Sequence, residues 1–559
     1  MSAGARQRLL GAGVVALTVA AVGAGAGFLL PGTRPVDVYP LEGMVRTGQP
    51  IHLMVQVDRP WYARGPVTVI VTRGLDSAPL TTLQTEGGLV TWTPPEPGGY
   101  GVTVIGGGSR AFSAFDVGDR WSDYPRYGFL SDFGPQDRGQ SQRFDDMARF
   151  HLNGLQFYDW MYRHSDYLPP TQAYRDPLGR TLSANTVREK VKEAQRRGMA
   201  AMAYTAAYAA PPEFLSQHPD WGLYDVTGSP ITFGDGFLAI MNPEPGGPWT
   251  EHLVREYGKI VNRMGFDGIH IDQYGDPHFG FAYPGGSEAR EVDVGSALGA
   301  LINRTRNVIG PDRTVLVNDV SGWPLSDTAG TANDAVYIEV WPPDETFGDL
   351  HRLIVQARRL SDGKAVVLAA YINPAFEPSV LLTDATIFAS GGYHIELGEG
   401  DGMLADPYFP KYRRLSGSLR EHLRRYYDVI VRYRDVLYGQ GLQDWTPEVS
   451  IEGSEVLDSG YFGGIWPIGR EDGKHRVLNL INLNGLEGPA WKAPRSQAPA
   501  LLEDRQVTVS MEAAPRRVYA IQPDSPDPSP RPVTFAYEGG KVTLRLDRLA
   551  YWSILVFEK

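Results

Sequence analysis

The 559-residue chain contains no cysteine. That excludes disulfides, thiolate nucleophiles, zinc–thiolate centres and a lipid-modified cysteine at an export junction. Basic residues are in the minority: 53 Lys and Arg face 65 Asp and Glu, for a formal net charge of −12, and no Lys/Arg run follows the first residues. Phosphate backbones are held by clustered cations, so no nucleic-acid partner is expected. No segment beyond residue 34 is apolar enough to cross a bilayer. There is no His-x-x-x-His helix, and the acidic turn Glu396–Asp401 with Asp406 lacks the ligand spacing of an EF-hand loop. No metal and no cofactor are therefore expected.

The chain opens with Arg6 and Arg8, followed by an uncharged run from Leu9 to Thr33 that is rich in Ala and Gly. About 20 such residues suffice to span a bilayer, and Ala24-Gly-Ala26 offers a small-residue cleavage site. Residues 1–34 are read as a signal peptide or a signal anchor. The protein is then expected to be secreted or held at the extracellular face of the cell membrane, anchored if at all through this segment. Residues 37–118 carry short period-two runs, such as Ile51–Val57 and Val67–Val71, divided by Gly/Pro turns. This pattern predicts an immunoglobulin-like antiparallel β-sandwich.

From residue 119 to 438 strands alternate with helical stretches. Eight strands are predicted: Tyr127–Phe133, Gly154–Trp160, Ala200–Ala206, Gly268–Gln273, Thr314–Asp319, Ala335–Trp341, Ala365–Ile372 and Thr386–Gly391. Helices are predicted at Asn185–Arg197, Trp249–Met264 and Ser416–Leu437. Eightfold alternation points to a (β/α)8 TIM barrel, with a doubly wound open sheet as the alternative. Residues 440–559 return to short alternating runs and predict a C-terminal antiparallel β domain. The whole is expected to be multidomain, a barrel flanked by two β domains.

In a barrel, reactive groups sit where strands end and loops begin. Side chains alternate between the faces of a strand, so Ile269 and Ile271 face the helices while His270 and Asp272 point inward. By the same rule Tyr337, Glu339 and Trp341 point inward from the sixth strand. Asp272 and Glu339 should therefore face each other, and two such carboxyls are what glycosidic cleavage requires. Either acid could instead be half of a structural ion pair. The second strand ends in Tyr158, Asp159, Trp160, Tyr162 and His164, which could stack on and hydrogen-bond a sugar, or form an aromatic core with a capping Asp. His394 and Glu396 after the eighth strand, and Asn318, Asp319, Tyr371 and Asn373 after the fifth and seventh, are further cleft candidates. With 12 Trp and 28 Tyr the chain suits sugar stacking, though aromatics also fill large β-rich cores.

Four blocks carry a family resemblance: Pro125-Arg-Tyr-Gly-Phe-Leu-Ser-Asp-Phe133, Gln156-Phe-Tyr-Asp-Trp-Met-Tyr-Arg-His164, Tyr337-Ile-Glu-Val-Trp-Pro342, and Leu382–Gly392 running on to His394-Ile-Glu-Leu-Gly398. On these the chain resembles glycoside hydrolase family 66, the dextranases and cycloisomaltooligosaccharide glucanotransferases. The resemblance implies a retaining enzyme acting on α-1,6-glucan, with Asp272 as nucleophile, Glu339 as acid/base and Asp159 as a sugar-binding carboxylate. Family members commonly show Gly-Asp-Thr around the nucleophile, where this chain has Ile271-Asp-Gln273. The cyclising members typically carry an inserted module after the seventh strand. Here Tyr371-Ile-Asn373 reaches Leu382 in about ten residues, which favours hydrolysis. An endo-acting dextranase is the expected activity. A glucanotransferase is the alternative and a non-catalytic glucan-binding protein a weaker one.

Overall fold

The computed structural model describes residues 36–58, 65–283 and 288–559. The expected export segment, residues 1–34, lies outside them. Residues 35–559 form one compact unit. No helix among the described residues is long and apolar enough to cross a membrane.

The N-terminal region holds a three-stranded sheet (Val36–Pro40, Ile51–Val57, Gly88–Trp92) and a four-stranded one (Thr81–Thr85, Val67–Arg73, Gly98–Gly106, Ser109–Val117), both antiparallel. Val67, Val69 and Val71 are fully buried while Thr68 and Ile70 are only partly so. This alternation lets one face of each sheet close on a shared Val-rich core, with Tyr100 stacked on Phe115. The C-terminal region is built similarly. A six-stranded sheet and a four-stranded sheet share a core that includes Leu478, Leu480, Val507 and Leu544.

Between them lie parallel strands separated by helices. We label these strands β1 (Tyr127–Leu130), β2 (Gly154–Phe157), β3 (Ala200–Ala206), β4 (Gly268–Asp272), β5 (Thr314–Val317), β6 (Val336–Glu339), β7 (Val366–Ala369) and β8 (Tyr393–His394). They pair in the order β5-β4-β3-β2-β1, and the short strand Leu397–Gly398 flanks the far edge of β1. A second parallel sheet runs β6-β7-β8. An isolated parallel bridge, Asn318 to Tyr337, joins β5 to β6. The chain from 393 to 398 thus pairs with β7 at one end and β1 at the other. The helices begin at side-chain caps: Ser183 accepts from the Thr186 N–H, and Thr346 and Asp349 form a reciprocal capping box.

The segment predicted as the eighth strand is helical, and β8 follows it at Tyr393–His394. Thr386–Gly391 is the end of the helix Glu377–Ala389, which is buried on every side and so shows no polar stripe. Its last turn, Thr386-Ile-Phe-Ala389, is a short, mostly apolar run that resembles a buried strand. Ser390 ends it, and Gly391 at φ 82° turns the chain into β8. The predicted helix Ser416–Leu437 is two helices, Gly417–Arg432 and Arg434–Leu437, divided at Tyr433.

The N-terminal sheets are tied to the central region by a buried ion cluster. Asp116 accepts two bonds from Arg126 (2.7 and 2.9 Å) and one from Arg434 (2.8 Å). Arg126 also donates to the carbonyls of His151 and Gly43. Burial alone would raise the Asp116 carboxyl, but the two guanidiniums outweigh it and hold it below the usual range. Removing one partner of such a cluster leaves an uncompensated buried charge. Arg126→Ala should therefore lose about 3–5 kcal/mol of stability in urea titration at neutral pH. Because the folded carboxyl is the stronger acid, its stabilisation is complete above the ordinary carboxylate range of about 4 and fades on acidification below it. The deficit of the variant should shrink in the same direction.

Candidate functional site

The ends of β2 to β7 and the loops that follow them line a cavity of about 630 Å³, within the range of ligand clefts. Its floor is a layer of inward-facing rings. The His270 ring lies 4.6 Å from that of Tyr337 and 6.0 Å from that of Tyr127, whose hydroxyl is 3.3 Å from His270 Nδ1. Burial pushes His270 down to about 3, so the imidazole is neutral and serves as a platform beneath the reactive groups.

Above that layer stand Asp272 and Glu339, linked by one side chain. Asn318 Nδ2 donates to Asp272 Oδ1 (2.8 Å) and to Glu339 Oε2 (2.9 Å). An amide nitrogen directs its two hydrogens about 120° apart, so these two oxygens are held about 5 Å from each other. The outer oxygens have donors of their own: the Tyr204 hydroxyl to Asp272 Oδ2 and the Tyr371 hydroxyl to Glu339 Oε1, both 2.7 Å. Burial and the neighbouring Glu339 charge push Asp272 up to about 7. The pair therefore retains a shared proton close to neutral pH. Two carboxyls at this spacing, one able to carry a proton, can perform nucleophilic attack and acid/base transfer on a glycosidic bond.

The remaining expected residues divide. Tyr158, Asp159, His164, His270 and Trp341 line the cavity with the dyad. Asp159 is pushed up to about 7 by burial, against the pull of Arg180 4.0 Å away. His164 is pushed down to about 4, again by burial. Trp341, two residues past Glu339, is 38% exposed at the rim.

Six expected residues do not line it, among them Tyr162 and Asp319, the latter fully buried and accepting from the Thr328 hydroxyl. Trp160 is fully buried, donates to the Tyr204 carbonyl and packs on Phe266. The cause is Asp159, whose φ of 51° breaks the strand alternation, turns its own side chain to the cleft and sends Trp160 into the core. Asn373 lies beyond the end of β7, where its side chain accepts from the Ala375 N–H in a turn. His394 and Glu396 are enclosed with Asp384 against the surrounding helices. His394 Nδ1 is 2.8 Å from Asp384, Nε2 is 2.9 Å from the Ala370 carbonyl, and Glu396 accepts from Tyr427. These three offer ligand atoms within 4.8 Å of one another and are the candidate metal-binding group among the described residues.

Tyr204, Asn318 and Tyr371 are the dyad's donors. Asn318 and Tyr371 were legible only as generic cleft residues, and Tyr204 was missed, although its place two residues before the end of a predicted strand puts it on the inward face. Gln273, at the departure from the family pattern, spends its polar atoms inside the protein. Its Nε2 donates to the carbonyls of Asn318 and Trp323, and its Oε1 accepts from Tyr208 and Gly275. It braces Asn318 from behind.

The family model described as Glycosyl hydrolase family 66 matches residues 74–556. A cycloisomaltooligosaccharide glucanotransferase of Niallia circulans is 23% identical over 86% of this chain and 66% of its own length. A dextranase of Streptococcus salivarius is 22% identical over 74% of this chain and 60% of its own. The chain thus spans about two thirds of the length of these curated relatives. In structure it is similar to a Paenibacillus cycloisomaltooligosaccharide glucanotransferase complexed with cycloisomaltoheptaose, with TM-score 0.86 and 20% identity, covering 93% of this chain and all of that one.

The dyad also predicts a pH signature. Asp272 holds its proton more tightly when folded than the ordinary value of 3.8. Its contribution to stability therefore falls as pH rises from about 4 to about 7. Asp272→Asn removes that ionisation. It should be more stable than the parent by about 1–3 kcal/mol at pH 8, with the difference vanishing near pH 4, as read from melting temperatures across pH.

Proposed function

Because the chain belongs to glycosyl hydrolase family 66 and is a glycoside hydrolase-type enzyme acting on glucan, we propose that it cleaves α-1,6-glucosidic bonds within dextran-type chains, with retention of configuration. The observation that carries the mechanism is the Asn318 bridge. Retaining enzymes need their two carboxyls about 5–5.5 Å apart, and inverting ones need several ångströms more to admit a water. A shared amide donor enforces the short spacing.

Asp272, ionised, attacks the anomeric carbon, while Glu339, carrying the dyad's proton, gives it to the departing O6 of the next glucose. Breaking the glycosidic bond forms a covalent glycosyl–Asp272 ester. Glu339, now a carboxylate, takes a proton from water, whose oxygen displaces Asp272 and restores the starting state. Positive charge developing on the sugar favours the ionised form of Asp272 at the moment it attacks. Asp159 is positioned to accept from sugar hydroxyls of the unit being cleaved.

This reading includes a closed (β/α)8 barrel, supported by the pairing of residues 393–398 to both β7 and β1 and by the Asn318–Tyr337 bridge. It includes flanking β domains at 37–118 and 440–559, supported by their separate apolar cores. It also includes export, supported by the basic start and the uncharged run up to Thr33. Hydrolysis is favoured over transfer by the short connection from β7 at Ala369 to the helix starting at Glu377. Transfer is the second reading, because two of the similar proteins described above are named as glucanotransferases.

Dextran incubated with the purified protein should yield linear reducing isomaltooligosaccharides whose first-formed anomer is α. Glu339→Gln should lower the rate by about 10²–10⁴-fold, and Asp272→Ala should abolish turnover. Cyclic products as the main species would move the assignment to transfer. Equal slow release by Asp272→Ala and the parent would remove the enzymatic reading.

A further inference from the structure

Two phenylalanines stand at the cavity mouth with no core to fill. Phe233 and Phe237 are 43% and 41% exposed, yet both line the same cavity as the dyad. They flank the turn of a hairpin after β3, formed by Thr232–Phe233 and Leu238–Ile240. Its tip, Gly234-Asp235-Gly236, has three successive residues at positive φ (62°, 53° and 87°). This sequence reverses the chain within one turn and keeps both rings at the rim. Phe233 stacks on Tyr274, with ring centres 4.2 Å apart and planes 17° from parallel, so the apolar surface continues into the cleft. Tyr274 Oη, His164 Nδ1 and Gln156 Oε1, all on residues that line the same cavity, are buried and have no hydrogen-bond partner. Exposed aromatics sharing one cavity with unsatisfied polar side chains match a ligand with one apolar face and a rim of hydroxyls, which a glucopyranose ring is.

The direction of the chain follows from the chemistry. The leaving oxygen must lie at Glu339, so the departing glucose passes Trp341 on the β6 side. The glucosyl units on the other side of the bond extend across Asp272 toward the loops of β2 and β3. We propose that Phe233 and Phe237 form the platform for the second glucosyl unit on that donor side, and so set the shortest chain the enzyme uses well. This rests on the α-1,6-glucan reading above.

The test compares isomaltose, isomaltotriose and longer isomaltooligosaccharides for kcat and KM in the full chain. The variants are Phe233→Ala/Phe237→Ala and Phe237→Leu, with Phe279→Ala as a control 60% exposed outside the cavity. The parent should gain in kcat/KM when a donor-side unit is added. The double variant should lose about tenfold of that gain, mostly in KM, with an unchanged melting temperature. Phe237→Leu, which keeps bulk but not the ring, should lose part of it, and Phe279→Ala none. A double variant with the parent's chain-length profile would overturn the platform while leaving the substrate reading intact. A parent inert on every α-1,6-glucan would overturn the reading itself.

Discussion

Two like charges held about 5 Å apart in a poorly solvated cleft are the constraint around which this site is built. At an effective dielectric of 20 their repulsion is roughly 3 kcal/mol, and burial adds to the cost of ionising both. Four donor bonds answer four carboxyl oxygens: two from Asn318, one from Tyr204 and one from Tyr371. Hydrogen bonds to charged groups contribute about 1.5–3 kcal/mol each, enough to hold the geometry. They do not remove the tension, because Asp272 stays raised to about 7. The residual tension has a use. In the mechanism proposed above, a dyad that resists a second negative charge keeps one proton ready for the leaving group, and a cationic sugar over Asp272 relieves it.

Asn318 can do this only if it cannot move, and its surroundings explain why it does not. It lies at the seam between the two parallel sheets, where its N–H donates to Ile271 and its residue bridges Tyr337. Its side-chain oxygen accepts from the Glu339 N–H, and its carbonyl accepts from Gln273. Asn318 is thus held by the backbones of both strands that carry the acids, through its own N–H to β4 and through its side-chain oxygen to β6. A shift of either strand would strain the bridge. The ring layer of Tyr127, His270 and Tyr337 supports it from below, with the histidine kept neutral so that no third charge enters the balance.

Inside the strands this was legible from sequence. The period-two rule placed Asp272, Glu339 and His270 on the inward face because Ile269, Ile271 and Ile338 needed the helices, and strand limits came within a few residues for seven of the eight. It stopped being informative at the first residue off the sheet. Asp159 in the left-handed region reverses the facing of everything after it, which is why Trp160 lies in the core. Nothing in the residue types announces that turn, since Asp tolerates positive φ but does not demand it. The eighth strand failed for a different reason. The helix Glu377–Ala389 is buried all round, and without a polar face its periodicity disappears.

His394 and Glu396 show why chemistry-bearing side chains do not by themselves mark a site. With Asp384 they form a second acidic cluster, whose carboxyls complete burial pushes well above the usual range, with the Asp384 charge adding to the rise at Glu396. His394 Nε2 must donate to the Ala370 carbonyl, and burial keeps the ring neutral, so its Nδ1 presents a lone pair to Asp384 2.8 Å away. That contact is attractive only with a proton or a cation between the two atoms. Ala370 precedes Tyr371, the donor to Glu339, so the cluster secures the end of β7 from the helix side. The two acidic clusters share their residue types, and Asp272 is pushed upward as Asp384 and Glu396 are. They differ in access. Asp272 and Glu339 open onto a cavity large enough for sugar, while Asp384 and Glu396 are sealed among helices, and that difference is the reason chemistry is proposed for the first pair and not for the second.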